Sequence, residues 1–373
     1  MLIVADDKIP FLKGVLEPHA RVVYIPGIDI GPEDVKNADG LIIRTRTKVD
    51  SSLLKGSSVK AVVSSTIGTD HMDIPWLEEN NIAWANAPGC NSGSVKQYIA
   101  SVFASLEENY YPLRGKTLGV VGVGNVGSKV AKVGEAFGMK VLLNDPPRAA
   151  DETDFPNVDL NVLLQLSDVV TFHVPLTCEG EYPTQYLLND TTLLMMKRGS
   201  VLINTSRGEV VEQRVLMKGI SSGLIDRAIL DVWENEPDIS RDMLDRLMLG
   251  TPHIAGYSVD GKANGTSAAV QFMSRRFGFG LDNWKPSELP LLDNMSLSVS
   301  DVDERLNLKL AKAVFSTYDV RVDAKRLAED PGNFEAIRGH YPIRREFPAW
   351  TIRVPEGNDE LKKSFELLGF QVV

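Results

Sequence analysis

The sequence predicts an α/β protein: two doubly wound parallel-sheet lobes followed by a small α+β C-terminal domain. Three observations carry that expectation. Short apolar runs rich in β-branched residues alternate with longer amphipathic stretches over about the first 255 residues; the runs fall into two separate series; and the texture changes after Asp282. The first series places strands at Leu2 to Ala5, Val22 to Ile25, Gly40 to Arg44, Lys60 to Ser64 and Ile82 to Asn86. The second places them at Thr117 to Gly122, Lys140 to Asn144, Val169 to Val174, Val201 to Asn204 and Ala228 to Val232. Each run is nearly all apolar, as strands covered on both faces are. Helical patterns at Ser92 to Tyr110 and Gly261 to Gly278 stand where the chain passes from one series to the other and back. The expected division is a discontinuous lobe of 1–92 with 255–285, a second lobe of 93–254, and a C-terminal domain of 286–373. That last domain carries a strand at Trp350 to Val354, a helix with Leu361, Phe365 and Leu368 on one face, and a strand at Phe370 to Val373.

Composition excludes several function classes. The 373 residues carry 40 Lys and Arg against 50 Asp and Glu, a formal charge of −10, which disfavours a nucleic-acid partner. No run approaches the ~18 apolar residues of a membrane span, and the basic start of a signal peptide is missing, so a soluble, cytoplasmic protein is expected. The 2 cysteines, Cys90 and Cys178, are too few for a disulfide framework or a cysteine-rich metal site, and no metal is expected.

The segment Leu118 to Gly127 ends an apolar strand and opens a helix on which Val126, Val130, Val133 and Phe137 share a face. Gly122 permits the tight turn, Gly124 lets a pyrophosphate approach the backbone, and Gly127 allows helix to pack closely on strand. With Asn125 and Val126 they form a cradle at a helix N-terminus, where free N–H groups and the dipole favour an anion. Asp145, after the next strand, suits an adenosine ribose and repels the extra phosphate of NADP, so NAD is the expected cofactor. Arg148 nearby is the one feature that favours NADP.

Three further segments follow successive strands of the same series, where open α/β sheets bind ligands. Arg207 sits in Asn204-Thr205-Ser206-Arg207-Gly208; standing alone it is as easily a surface arginine, but a guanidinium there suits a substrate carboxylate. Asp231 and Glu236 follow the next strand and are expected to face one crevice. His253 lies in Thr251-Pro252-His253-Ile254-Ala255-Gly256-Tyr257. A lone histidine is more often structural, yet one beside a glutamate can take a proton from a hydroxyl. His19, His71, His173 and His340 lack such a set of neighbours.

With these residues in place the chain resembles the D-isomer-specific 2-hydroxyacid dehydrogenases. The matching segments are Gly122 to Gly127 with Asp145, His173 to Thr177, Asn204 to Gly208, Asp231 to Pro237 and Thr251 to Gly256. Ile43 to Val49, Thr66 to His71, Asn86 to Asn91 and Pro252 to Lys262 resemble the branch of that family that oxidises a phosphorylated hydroxy acid in pyridoxal phosphate biosynthesis. The resemblance implies an NAD-dependent enzyme with Arg207, Glu236 and His253 catalytic. It also implies Asp145, Asp231 and Gly256 against NAD, with Thr205 and Ser206 on the cofactor side, and Thr45, Thr66 and Tyr257 against substrate. A homodimer formed through the C-terminal domain is implied too. Thr45 and Arg46 stand where that branch can carry a serine and an apolar residue. Arg44 and Arg46, expected on one strand face, are candidates to attract the substrate phosphate, although a solvated basic loop accounts for them equally well. A phosphoglycerate or glyoxylate dehydrogenase, or an NAD-sensing interaction protein, are the alternative readings.

Overall fold

The structure, a computed structural model, describes residues 1–299 and 305–373. It divides into two compact units, Met1–Asn91 with Ser258–Pro290, and Ser92–Tyr257 with Leu291–Val373.

The first unit is built on a parallel sheet of β1 (Leu2–Asp6), β2 (Arg21–Ile25), β3 (Gly40–Ile43), β4 (Ala61–Ser64) and β5 (Ala83–Ala85), in the order β2-β1-β3-β4-β5. Leu41, Ile42 and Ile43 have no exposed surface, as the unbroken apolar run requires of a strand covered on both faces. The chain runs outward in both directions from β1 and β3, so their carboxyl ends mark a topological switch point. The Val259–Phe277 helix packs beneath this edge. A Cβ on Gly265 would lie 2.2 Å from the Ser65 carbonyl oxygen, so only glycine lets the helix come this close.

The second unit holds β6 (Thr117–Val121), β7 (Lys140–Asn144), β8 (Val169–Phe172), β9 (Ser200–Asn204), β10 (Ile225–Leu230) and β11 (Leu249–Gly250), ordered β11-β10-β9-β8-β6-β7 and parallel throughout. Its switch point lies between β6 and β8, where the glycine loop emerges. The C-terminal residues of this unit form a parallel sheet of β12 (Ser296–Ser298), β13 (Thr351–Arg353) and β14 (Gln371–Val372). The Leu306–Thr317 helix packs against the Ser92–Glu108 helix, and the Asp359–Leu368 helix against Gly127–Ala136.

Sequence patterning missed β11 and β12 because two or three residues are too short to show a period, and it missed the Leu306–Thr317 helix among the surrounding charges. One expectation is corrected. β3 ends at Ile43, so Arg44 and Arg46 lie in the turn beyond it and strand alternation does not place them on a common face.

Buried polar groups tie the C-terminal residues to the rest of the second unit. Arg344, 3% exposed, donates Nε to Gln97 Oε1 at 2.8 Å and Nη2 to the Ser94 carbonyl, and its guanidinium lies 3.8 Å from the Tyr318 ring centroid. Replacing it with methionine leaves the buried acceptors it serves short of a donor. Arg344→Met should therefore lower unfolding stability by about 2–4 kcal/mol in a denaturant titration, and Arg344→Lys should recover little of it because the fork geometry is lost.

Candidate active site

Arg207, Glu236 and His253 follow β9, β10 and β11, three neighbouring strands, so the sheet itself brings their loops to one end. Local chemistry then shapes each loop. Asn204 Oδ1 accepts from the Ser206 N–H at 3.0 Å and from its hydroxyl at 2.8 Å, while Asn204 Nδ2 donates to the Arg207 carbonyl at 2.8 Å. Arg207 is half-buried, and its Nη1 donates to the Ser206 carbonyl at 2.8 Å. The next residue, Gly208, lets this loop lie on the following one: a Cβ there would sit 2.1 Å from the Trp233 carbonyl. The motif quoted for the arginine contained that glycine, but only the structure shows what it is for.

The second loop turns through Asn235, at φ +62°, a conformation asparagine tolerates. Glu236 Oε1 accepts from the Trp233 N–H at 2.9 Å, and Glu236 Oε2 accepts from His253 Nδ1 at 2.8 Å. The glutamate is thus held by backbone on one side and presents its other oxygen to the imidazole. Burial alone would raise its carboxyl, but the hydrogen bonds from His253 and Trp233 outweigh burial and hold it below the ordinary range. The glutamate therefore stays ionised, keeps the proton of the neutral ring on Nδ1, and leaves Nε2 as the basic nitrogen.

The third loop is moulded by Asp231. Its carboxylate, on a residue 1% exposed, accepts from the Thr251 hydroxyl at 2.6 Å and from the Ile254 and Ala255 N–H groups at 2.8 Å each. The His253 N–H donates to the Asp231 carbonyl at 2.7 Å. These bonds hold His253 at φ +54°, where a residue with a Cβ is strained. Burial pushes the Asp231 carboxyl up, against the pull of His253 and of the three donors. Asp231 therefore does not open onto a crevice beside Glu236, as expected from sequence; it lies behind the histidine loop. Trp233 Nε1 donates to the Thr251 carbonyl at 2.9 Å and locks the last two loops together.

His173 contrasts with His253. Its Nε2 pairs with Thr171 Oγ1 at 2.9 Å and its Nδ1 with Thr205 Oγ1 at 3.3 Å. Burial pushes it down to about 3, so it remains neutral. Of these two histidines it is His253 that has a carboxylate partner, the feature acid–base work requires.

The glycine loop has the features of a dinucleotide cradle. Gly122 has φ +83°, and a Cβ on Gly127 would meet the Gly122 carbonyl oxygen at 1.9 Å. A Cβ on Gly124 would meet nothing within 4 Å, and Gly124 and Asn125 are exposed, with Val126 half-buried beside them. The helix that follows has no side-chain cap, so its N-terminal dipole is available to a pyrophosphate. Asp145 Oδ2 accepts from the Val123 N–H at 2.7 Å and Oδ1 from the Arg148 N–H at 3.1 Å, holding the acid at the end of β7. Arg148 is committed to the Val123 carbonyl, to Glu152 and to the Phe155 ring, which removes the feature that favoured NADP. These residues fit NAD.

The remaining expected residues are placed as follows. In the first unit Arg44 forms a two-point ion pair with the fully buried Asp6, at 2.9 and 3.1 Å. Thr45 and Arg46 are exposed in the same turn. Thr66 is half-buried beyond β4, with its hydroxyl 2.7 Å from that of Ser64. Lys262, which sequence reasoning left out of the site, is brought near enough to Arg44 for the two charges to oppose each other, and burial with that repulsion pushes its amine down. In the second unit Gly256 and Tyr257 are half-buried, and the Tyr257 ring meets Tyr341 edge-on at 5.6 Å.

The two glycines should separate when replaced. Gly124→Ala should leave the melting temperature nearly unchanged while weakening NADH binding by at least ~10-fold in a fluorescence titration; Gly127→Ala should lower the melting temperature itself.

Residues 95–255 match the family model described as the D-isomer specific 2-hydroxyacid dehydrogenase NAD binding domain, and residues 291–369 match one described only as a domain of unknown function. Curated relatives include erythronate-4-phosphate dehydrogenases of Bacteroides fragilis and Bacteroides thetaiotaomicron. Each is 44% identical, covering 94% of this chain and 99% of the relative. Among solved structures, the TT0316 protein from Thermus thermophilus superposes with a TM-score of 0.63 at 27% identity, over 78% of this chain and 100% of that one. The chain belongs to the D-isomer specific 2-hydroxyacid dehydrogenases, oxidoreductases whose cofactor is NAD.

Proposed function

We propose that this protein oxidises 4-phospho-D-erythronate to 2-oxo-3-hydroxy-4-phosphobutanoate, a step of pyridoxal phosphate biosynthesis. The observation that carries the chemistry is the Glu236–His253 pair at 2.8 Å, set in a loop next to that of Arg207. The substrate follows from the 44% identity to enzymes named erythronate-4-phosphate dehydrogenase over nearly their whole length.

Gly122, Gly124, Asn125, Val126, Gly127 and Asp145 would hold NAD, with Thr205, Ser206 and Gly256 on the nicotinamide side, and the bound cofactor would supply the hydride acceptor for C2, while Asp231 acts from behind by holding the histidine loop. Arg207 holds the substrate carboxylate through two parallel hydrogen bonds, which orients C2 and draws electron density from it. His253 Nε2 removes the C2 hydroxyl proton as the carbonyl forms. Glu236 stabilises the imidazolium that results, and its ionised state makes that stabilisation available throughout the neutral range. Thr45, Thr66 and Tyr257 contact the substrate, and Arg44 and Arg46 supply positive potential for the phosphate. Asp6 already neutralises much of the Arg44 charge. A cytoplasmic homodimer assembled through residues 286–373 completes the proposal; the acidic composition and 2 cysteines suit that compartment. No helix among the described residues is long and apolar enough to cross a membrane.

A spectrophotometric assay with NAD and 4-phospho-D-erythronate tests the reaction, with D-erythronate as the acid lacking phosphate. Turnover of the phosphorylated acid alone is expected; equal rates on both would sink the substrate assignment. His253→Gln should reduce kcat by at least ~100-fold while NADH binding stays within about threefold. The rise of kcat/KM with pH should survive in His173→Gln and vanish in His253→Gln; the opposite pattern would reassign the base.

A further inference from the structure

Bonds from earlier in the chain already pin the backbone of the loop that carries His253 and Tyr257. Asp231 accepts from the Ile254 and Ala255 N–H groups at 2.8 Å each, Ser94 Oγ donates to the Ala255 carbonyl at 2.9 Å, and the Tyr257 N–H donates to the Ile254 carbonyl at 2.8 Å. These bonds fix where Tyr257 sits but not where its ring points. A ring on a fixed backbone still chooses among staggered wells, and its neighbours decide the choice.

Two of those neighbours come from the C-terminal residues of the same unit. The Tyr341 ring meets the Tyr257 ring edge-on, with centroids 5.6 Å apart and planes at 87°, an arrangement that aromatic quadrupoles favour. Arg338 brings its guanidinium to 5.7 Å from the same ring centroid, the outer edge of a cation–π contact, so the ring-on-ring contact is the more directional of the two. Tyr341 is anchored in turn, because its hydroxyl donates to Asp323 Oδ2 at 2.7 Å. The Asp323 carboxylate, on a residue 3% exposed, also accepts from the Tyr318 hydroxyl at 2.9 Å and, on Oδ1, from Arg326 Nη1 at 3.3 Å.

Burying a carboxylate is costly, and docking of the segment accounts for only one of the two tyrosines it holds. Tyr318 is the docking residue: its ring centroid lies 3.8 Å from the Arg344 guanidinium, and its carbonyl accepts from Ser101 Oγ at 3.0 Å. Tyr341 is half-buried, and its ring faces Tyr257. A phenylalanine there would cover the same apolar surface; the hydroxyl on Asp323 adds direction. Resting on the reading of Tyr257 as a substrate contact, we propose that Tyr341, held by Asp323, is a positioning residue for it: the C-terminal segment orients the Tyr257 ring and so sets the affinity for the phosphorylated acid. The effect belongs to substrate binding, since neither tyrosine is part of the glycine loop or of the catalytic set.

The test is a double-mutant cycle read in KM for 4-phospho-D-erythronate, with kcat, NADH affinity and melting temperature measured alongside. Tyr341→Leu should raise KM about three- to tenfold while kcat and NADH affinity stay within about twofold, and Tyr341→Phe, which keeps the ring and loses the bond to Asp323, should raise it about twofold. Tyr257→Phe, which removes the one polar group the ring can offer a substrate, should raise KM about tenfold. In that background Tyr341→Leu should leave KM nearly where Tyr257→Phe puts it, because the contact it orients is already gone. A merely structural role would lower melting temperature or kcat, and its effect would multiply with that of Tyr257→Phe. Full multiplication of the two effects, or an unchanged KM in Tyr341→Leu, overturns the proposal. Should Tyr341→Leu fail to fold, Tyr341→Phe decides: a raised KM that vanishes in the Tyr257→Phe background supports it, and a KM that is unmoved or that multiplies overturns it. A wild-type KM in Tyr257→Phe overturns the substrate-contact reading and the proposal together, whereas a raised KM there preserves that reading even when Tyr341 fails.

Discussion

The geometry of the proposed catalytic set depends on one buried carboxylate. Asp231 stands at the end of β10 with almost no exposed surface, and it accepts three hydrogen bonds from the loop that follows β11. These three bonds act against the roughly 1–2 kcal/mol cost of holding a non-glycine residue in the left-handed region, and the loop so held brings His253 Nδ1 to Glu236. Without that anchor the histidine has no local reason to leave extended backbone. The interaction lives at the level of packing, and in the proposed mechanism its consequence is a base whose tautomer is set before substrate arrives.

Placement of the three catalytic loops follows from topology. Because β9, β10 and β11 are neighbours, the residues after each emerge side by side, and the missing side chain at Gly208 lets the first loop lie on the second. The same arrangement explains why His173, after β8 on the other side of β9, is a different kind of histidine. Two threonine hydroxyls and no carboxylate face it, so burial meets no compensating charge and the ring stays neutral. Two imidazoles on one sheet are thus assigned opposite duties by their neighbours.

What could be read from the residues alone was whatever is written locally. The strands of the two larger sheets are continuous apolar runs, the glycine loop is contiguous, and Arg207, Glu236 and His253 each carry a recognisable flanking pattern. Asp231 was legible as a site residue, but its hydrogen bonds to residues 20 to 24 positions further on were not, since no periodicity encodes a loop moulded by a distant carboxylate. Arg44 illustrates the converse. Its charge was plain, but the pairing with Asp6 across 38 residues, which spends that charge, is a consequence of β1 and β3 being neighbours. β11 and β12 were illegible for a simpler reason, having too few residues to show alternation.

Residues well beyond His253 in sequence are among those that back its loop. Arg344 is bonded to Gln97 across 247 residues and to Ile254 across 90, and Tyr341 packs on Tyr257, so the loop that presents His253 is backed by chain from far along the sequence. The wall behind the histidine loop is therefore complete only when these C-terminal contacts are made. A histidine loop held by Asp231 alone would keep its strained backbone yet lose the aromatic and cationic wall behind it. Catalytic competence and the integrity of the last 80 or so residues are coupled by packing, independently of any role those residues play in joining two copies of the chain.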